Sequence, residues 1–122
     1  MFENLIGWQI ISMNNDGFVV TKDGKVRTFR FDEHEGDCCG YNDFEAKLFY
    51  DENNCNNPVI TSVEVTRDDF GEYDSVSITF FGLYKPMAQI NSYSSSGSGW
   101  CYGACVTCTC IETGEEEYLT SY

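Results

Sequence analysis

In several runs along the chain apolar and polar positions follow the two-residue period of β-strands. The opening Leu5-Ile6-Gly7-Trp8-Gln9-Ile10-Ile11 is apolar and rich in strand formers, and Asn14-Asn15-Asp16-Gly17 reads as a turn. Phe18-Val19-Val20-Thr21 and Val26-Arg27-Thr28-Phe29-Arg30-Phe31 flank Lys22-Asp23-Gly24-Lys25. Asp-Gly between two such runs is a strong hairpin signal. In the second run Val26, Thr28 and Arg30 face one way and Arg27, Phe29 and Phe31 the other, so three antiparallel strands are expected within residues 5–31. An acidic, glycine-punctuated loop is expected from Asp32 to Gly40. Phe44, Leu48 and Lys47 share a face at helical spacing, which predicts a short helix over 43–50. Residues 51–57 read as a polar loop closed by Pro58. Val59–Thr66 and Ser75–Phe81 read as strands, joined by a wide connection through Asp68-Asp69-Phe70-Gly71-Glu72. Residues 92–99, Ser-Tyr-Ser-Ser-Ser-Gly-Ser-Gly, predict a flexible loop too polar to pack alone. Cys101 to Ile111 alternates as a strand, Thr113-Gly114 turns, and residues 117–122 return beside it. The expected fold is a single mainly β domain over 1–122. It is an antiparallel sheet, small β-sandwich or half-barrel with at most one short helix.

Charge narrows the partner class. Twenty acidic residues against seven basic ones give a net charge of −13. A surface of that sign is a poor match for nucleic-acid phosphates or anionic lipid, and a basic protein surface is its electrostatic complement. All seven Lys and Arg lie at or before Lys85, while acids cluster at 32–37, 43–52, 68–74 and 112–117. Carboxylates that stand in for phosphates in a basic groove speed encounter and select partners. The candidate partner-binding residues are Asp68, Asp69, Glu72, Asp74, Glu112, Glu115, Glu116 and Glu117. The plainer reading of each cluster is a solvated face that keeps an aromatic-rich protein soluble. Exposed strand edges and aromatics also suit a homodimer.

No early apolar run has the length of a signal peptide or membrane span, so the cytoplasm of the cell that makes the protein is the expected compartment. Thiols stay reduced there, and seven cysteines cannot all pair within one chain. The spacing Cys101-x3-Cys105-x2-Cys108-x-Cys110 contains a zinc-knuckle interval, with His34, Cys38 or Cys39 available to complete a tetrahedral set. A strand reading instead puts Cys108 and Cys110 on one face and Cys105 on the other, and favours buried reduced thiols as small hydrophobes. No cofactor is expected; if a metal is bound, the candidate ligands are His34, Cys38, Cys101, Cys105, Cys108 and Cys110.

Enzymatic motifs are missing. A Cys-His nucleophile pair at His34 and Cys38 or Cys39 would need a lowered thiol pKa, and Asp32, Glu33, Glu35 and Asp37 push it the other way. No phosphate-binding loop, nucleophile elbow or metalloprotease helix occurs, so no catalytic residue is assigned. Near the Ser/Gly stretch, Tyr93, Trp100 and Tyr102 offer stacking surfaces, and backbone N–H groups there can cradle an anion. These residues carry an alternative reading as a sponge for a small nucleotide signal.

The order Leu5-Ile6-Gly7, Asp23-Gly24, His34-Glu35-Gly36-Asp37-Cys38-Cys39, Asn57-Pro58-Val59-Ile60 and Val76-Ser77-Ile78-Thr79-Phe80-Phe81-Gly82 resembles an uncharacterised family of small phage and prophage proteins with an Asp-Cys-Cys motif. The resemblance covers roughly residues 5–95. It implies a phage accessory gene expressed inside a bacterium, and small acidic proteins of that kind often disable a host factor, antiviral defences included. The expected function is therefore non-enzymatic: binding and inhibiting a host protein, such as a nucleic-acid-handling defence enzyme, through acidic surfaces. A nucleotide sponge and a zinc-stapled interaction module are the alternatives.

Overall fold

A computed structural model describes residues 1–35, 41–49, 59–69, 71, 73–83, 85–95 and 104–122. Among the described residues nine antiparallel strands form two sheets. Strands β1 (Gln9–Asn14), β2 (Gly17–Lys22), β3 (Lys25–Glu35), β8 (Ala104–Cys110) and β9 (Glu116–Ser121) make a five-stranded sheet in the order β1-β2-β3-β8-β9. Strands β4 (Tyr41–Leu48), β5 (Ser62–Asp69), β6 (Tyr73–Gly82) and β7 (Lys85–Ser95) make a four-stranded sheet in the order β4-β7-β6-β5. The sheets pack face to face, with β4 against β1, β3 and β8, and β9 against β6 and β7. The mainly β expectation is met in its β-sandwich form. Among the described residues the sole helical element is one 3-10 turn, Phe2–Leu5, and no helix is long and apolar enough to cross a membrane.

The hairpin at Asp23-Gly24 forms as its sequence requires. Asp23 (φ 52°) and Gly24 (φ 81°) both adopt the left-handed region, and Lys22 pairs with Lys25. At the head of β2, a Cβ on Gly17 would stand 2.1 Å from the carbonyl oxygen of Phe29, so only glycine admits this approach of β2 to β3. Between the sheets Phe18 stacks on Phe29 (centroids 4.4 Å apart, planes 6° apart) and touches Phe31 and Phe80. Phe80 comes from the opposite sheet, so Phe18 joins the two layers of one continuous core.

Four local expectations are corrected. Residues 43–48 form strand β4, not a helix. Phe44 and Leu48 are four apart, a spacing that suits a strand face as well as a helix face, and buried Asn42 and Ala46 make the period two. The acidic stretch Asp32–Glu35 continues β3, because its backbone pairs with Ala104–Thr107. Asp68 and Asp69 extend β5 opposite Ser75 and Asp74, so the connection to β6 is shorter than expected. Finally, residues 92–95 belong to β7 and are not a flexible loop; Ser92, Ser94 and Ser95 are buried. The Ser92 and Ser94 hydroxyls are hydrogen-bonded there, and residues 96–99 lie outside the described residues.

Candidate functional site

The four-stranded sheet turns one face to the core and the other outward, and the outward face carries the most distinctive chemistry. Strand register sets its rows. Tyr41 on β4, Ser95 on β7 and Tyr73 on β6 form the first. Asp43, Tyr93, Ser75 and Asp68 form the second, running from β4 to β5. Glu45, Asn91, Ser77 and Thr66 form the third, and Lys47, Gln89, Thr79 and Glu64 the fourth. The Tyr93 ring stacks on Tyr73 (5.1 Å, 26°) and meets Tyr41 edge-on (6.1 Å, 70°). The three rings brace one another at the end of the sheet, and Tyr41 remains half exposed. Beside Tyr93, short side chains leave a depression of about 300 Å³ lined by Asp43, Glu45, Ser75, Ser77, Asn91 and Tyr93.

This region is negative. Asp43 has no ion-pair partner among the described residues, whereas Glu45 is paired with Lys47 at 3.1 Å on the exposed surface. At the same end of the sandwich, burial raises the Glu33 carboxyl above its usual range, and the carboxylates of Glu35 and Asp43 push it further up. The amides of the face are fixed: Gln89 donates to Thr79 Oγ1 (3.0 Å), and Asn91 donates to Gln89 Oε1 (3.1 Å).

Beneath the face lies a buried polar chain. Ser94 Oγ donates to Asn42 Oδ1 (2.6 Å), so its remaining contact, to Thr120 Oγ1 (2.8 Å), is one in which Thr120 is the donor. Ser92 then donates to Thr120 (2.7 Å). The Asn42 amide completes the chain by donating to the carbonyls of His34 (3.1 Å) and Cys105 (3.2 Å). Every hydroxyl proton is used, which is why a serine-rich stretch can be buried. No buried side-chain N or O among the described residues lacks a partner.

The candidate residues read from sequence divide among several places. Asp68 stands on the open face just described. Asp69 accepts from the Gly71 N–H at 3.3 Å, within the β5–β6 turn. Asp74 holds Arg67 (3.1 Å) and the Ser121 N–H (2.9 Å), so it ties β6 to β5 and β9. Glu112, Glu115, Glu116 and Glu117 lie in and beside the β8–β9 hairpin of the other sheet. Glu112 accepts the Thr28 N–H at 2.6 Å, which holds its carboxyl below its usual value. Asp74 and Glu112 thus serve the fold, while Glu115, Glu116 and Glu117 are exposed. Glu72, Trp100, Tyr102, Cys38, Cys39 and Cys101 lie outside the described residues.

The cysteines follow strand alternation. Cys108 and Cys110 point into the core, and burial pushes the Cys108 thiol up to about 12. Cys105 is half-buried on the opposite face, paired across the strands with His34. The Cys105 thiol is therefore held apart from those of Cys108 and Cys110, and among the described residues no three His, Cys, Asp or Glu side chains are grouped to hold a metal ion. Sequence reasoning missed Tyr41, Asp43, Glu45, Tyr73 and Asn91 as one surface. Reading 41–48 with a period of two would have put Tyr41, Asp43, Glu45 and Lys47 on one face.

The fold and this surface define a class: an antiparallel β-sandwich with one open, acidic, tyrosine-bearing sheet. The chain belongs to the family described as a domain of unknown function, DUF7448, whose model matches residues 3–108. No curated protein and no solved structure matches the chain.

Proposed function

We propose that this protein is a non-enzymatic accessory protein of phage type, which works in the bacterial cytoplasm by binding and inhibiting a basic, nucleic-acid-handling host protein. The observation that carries this reading is the open face of the four-stranded sheet. Asp43, Glu45, Glu64 and Asp68 surround it, Lys47 is its one cation among the described residues, and braced tyrosines supply contact area. Rigid tyrosines give contact area at low entropic cost, and carboxylates steer a basic partner and repel nucleic acid. The net charge of −13 extends the same field over the molecule. A nucleotide ligand gains no support from Tyr93, because Asp43 and Glu45 beside it repel a phosphate.

Carbodiimide cross-linking in a bacterial lysate, followed by assay of each captured protein, tests the proposal. The expected result is a basic host protein cross-linked through carboxylates of this face. Its binding to nucleic acid falls when the acidic protein is added, and recovers when Asp43→Lys/Glu45→Lys is added instead. Unchanged nucleic-acid binding by every captured protein, or full inhibition by the charge-reversed variant, would overturn it.

A further inference from the structure

We infer that the depression beside Tyr93 receives an arginine side chain of the basic partner. This deepens the function proposed above and rests on it. The depression has an aromatic wall, Tyr93, whose ring is held in place by the stacked Tyr73 and the edge-on Tyr41. Two carboxylates on β4, Asp43 and Glu45, border it on one side, while Ser75, Ser77 and Asn91 supply polar groups on the other. Its volume of about 300 Å³ accommodates one long side chain rather than a folded element.

The charge balance selects a cation, and the shape of the lining selects among cations. A guanidinium is planar, stacks on an aromatic face and offers a fork of N–H donors to a carboxylate, while its weak hydration makes entry cheap. An ammonium stays more strongly hydrated and presents no plane to Tyr93. Asn91 already donates to Gln89, which leaves its Oδ1 as an acceptor pointing the same chemical way as the carboxylates. The one internal competitor is Lys47, paired with Glu45 at 3.1 Å with both side chains about half exposed. Such a surface pair is worth little, so an incoming guanidinium exchanges for it at small cost.

Titration of the isotope-labelled full chain with an uncharged-background pentapeptide carrying one central arginine, followed by amide NMR, tests the inference. Lysine and citrulline versions of the peptide serve as comparators. The arginine peptide is expected to shift the amides of Asp43, Glu45, Asn91 and Tyr93, and to bind about threefold or more tightly than the lysine peptide. Asp43→Asn and Tyr93→Leu should each weaken it about two- to fivefold, whereas Lys47→Gln, which frees Glu45, should strengthen it. Retained melting temperature shows that the variants fold. Equal binding of arginine and lysine peptides, with shifts spread to the Glu115–Glu117 hairpin, would overturn the pocket and leave the acidic-surface function standing. Shifts with citrulline equal to those with arginine would overturn the charge argument. No shift with any peptide would overturn the pocket, and it would overturn the broader function only together with a negative cross-linking result.

Discussion

Ser94 donates to Asn42 across the β4–β7 pair at 2.6 Å, and the same Asn42 holds the His34 and Cys105 carbonyls of the other sheet. One amide side chain therefore fastens the sandwich at the end that carries the tyrosines. Removing it leaves one hydroxyl proton of the Ser94–Thr120–Ser92 chain without an acceptor and takes away the extra bonds to two strand carbonyls, at about 1–3 kcal/mol for a buried group left unpaired. Asn42→Ala is expected to lower unfolding free energy by at least about 2 kcal/mol in urea titration. The double variant Asn42→Ala/Ser94→Ala should lose less than the sum of the two single losses, because the groups share one chain of bonds.

Phe18 binds the layers through packing instead of hydrogen bonds. Its ring touches Phe29 and Phe31 on its own sheet and Phe80 on the other. Phe18→Ala should destabilise the fold by about 3–5 kcal/mol, read from the midpoint shift in guanidinium chloride at constant slope. Phe18→Leu should recover part of that loss by refilling the cavity.

Glu33 gives a pH-dependent expectation with a definite sign. Its folded pKa is raised by burial and by Glu35 and Asp43, so at neutral pH its ionised form opposes folding. That penalty is present above the raised value, shrinks as pH falls through it, and is gone below the ordinary glutamate value of about 4.3. Glu33→Gln should therefore raise the melting temperature at pH 7 and give no advantage near pH 3.5. A gain that persists unchanged at acidic pH would contradict the electrostatic cause.

Thiol reactivity separates the cysteines. Cys108 is fully buried with its thiol pushed up to about 12, and Cys110 is buried beside it on the same strand face. Iodoacetamide at pH 8 should modify half-buried Cys105 while Cys108 and Cys110 stay protected until the chain unfolds. Peptide mass spectrometry of native and denatured samples checks this.

Much of the sandwich was legible in the chain, and its failures have a common origin. The Asp23-Gly24 hairpin and the inward Phe29 and Phe31 follow from local sequence, because turn geometry and two-residue alternation are written within a few residues. Strand alternation likewise places Cys108 and Cys110 together in the core and Cys105 apart. Residues 43–48 and 92–95 were misread because their strand character depends on partners distant in sequence. Asn42 and the serines are buried only because Thr120 and two carbonyls complete their hydrogen bonds. The candidate surface failed for the same reason. Asp43 and Asp68 lie 25 positions apart in the chain yet share a row, and register across four strands is not visible from either residue alone.

The most direct test of the central claim compares two variants of equal net charge, Asp43→Lys/Glu45→Lys on the open face and Glu115→Lys/Glu116→Lys on the hairpin. Each is titrated with a labelled arginine-rich peptide at about 0.15 M salt, where long-range fields are screened beyond about 8 Å. The account expects the first pair to lose most of the binding and the second to keep most of it. Equal losses from both would mean that overall charge, not the tyrosine-bearing face, holds the partner, and would contradict the account.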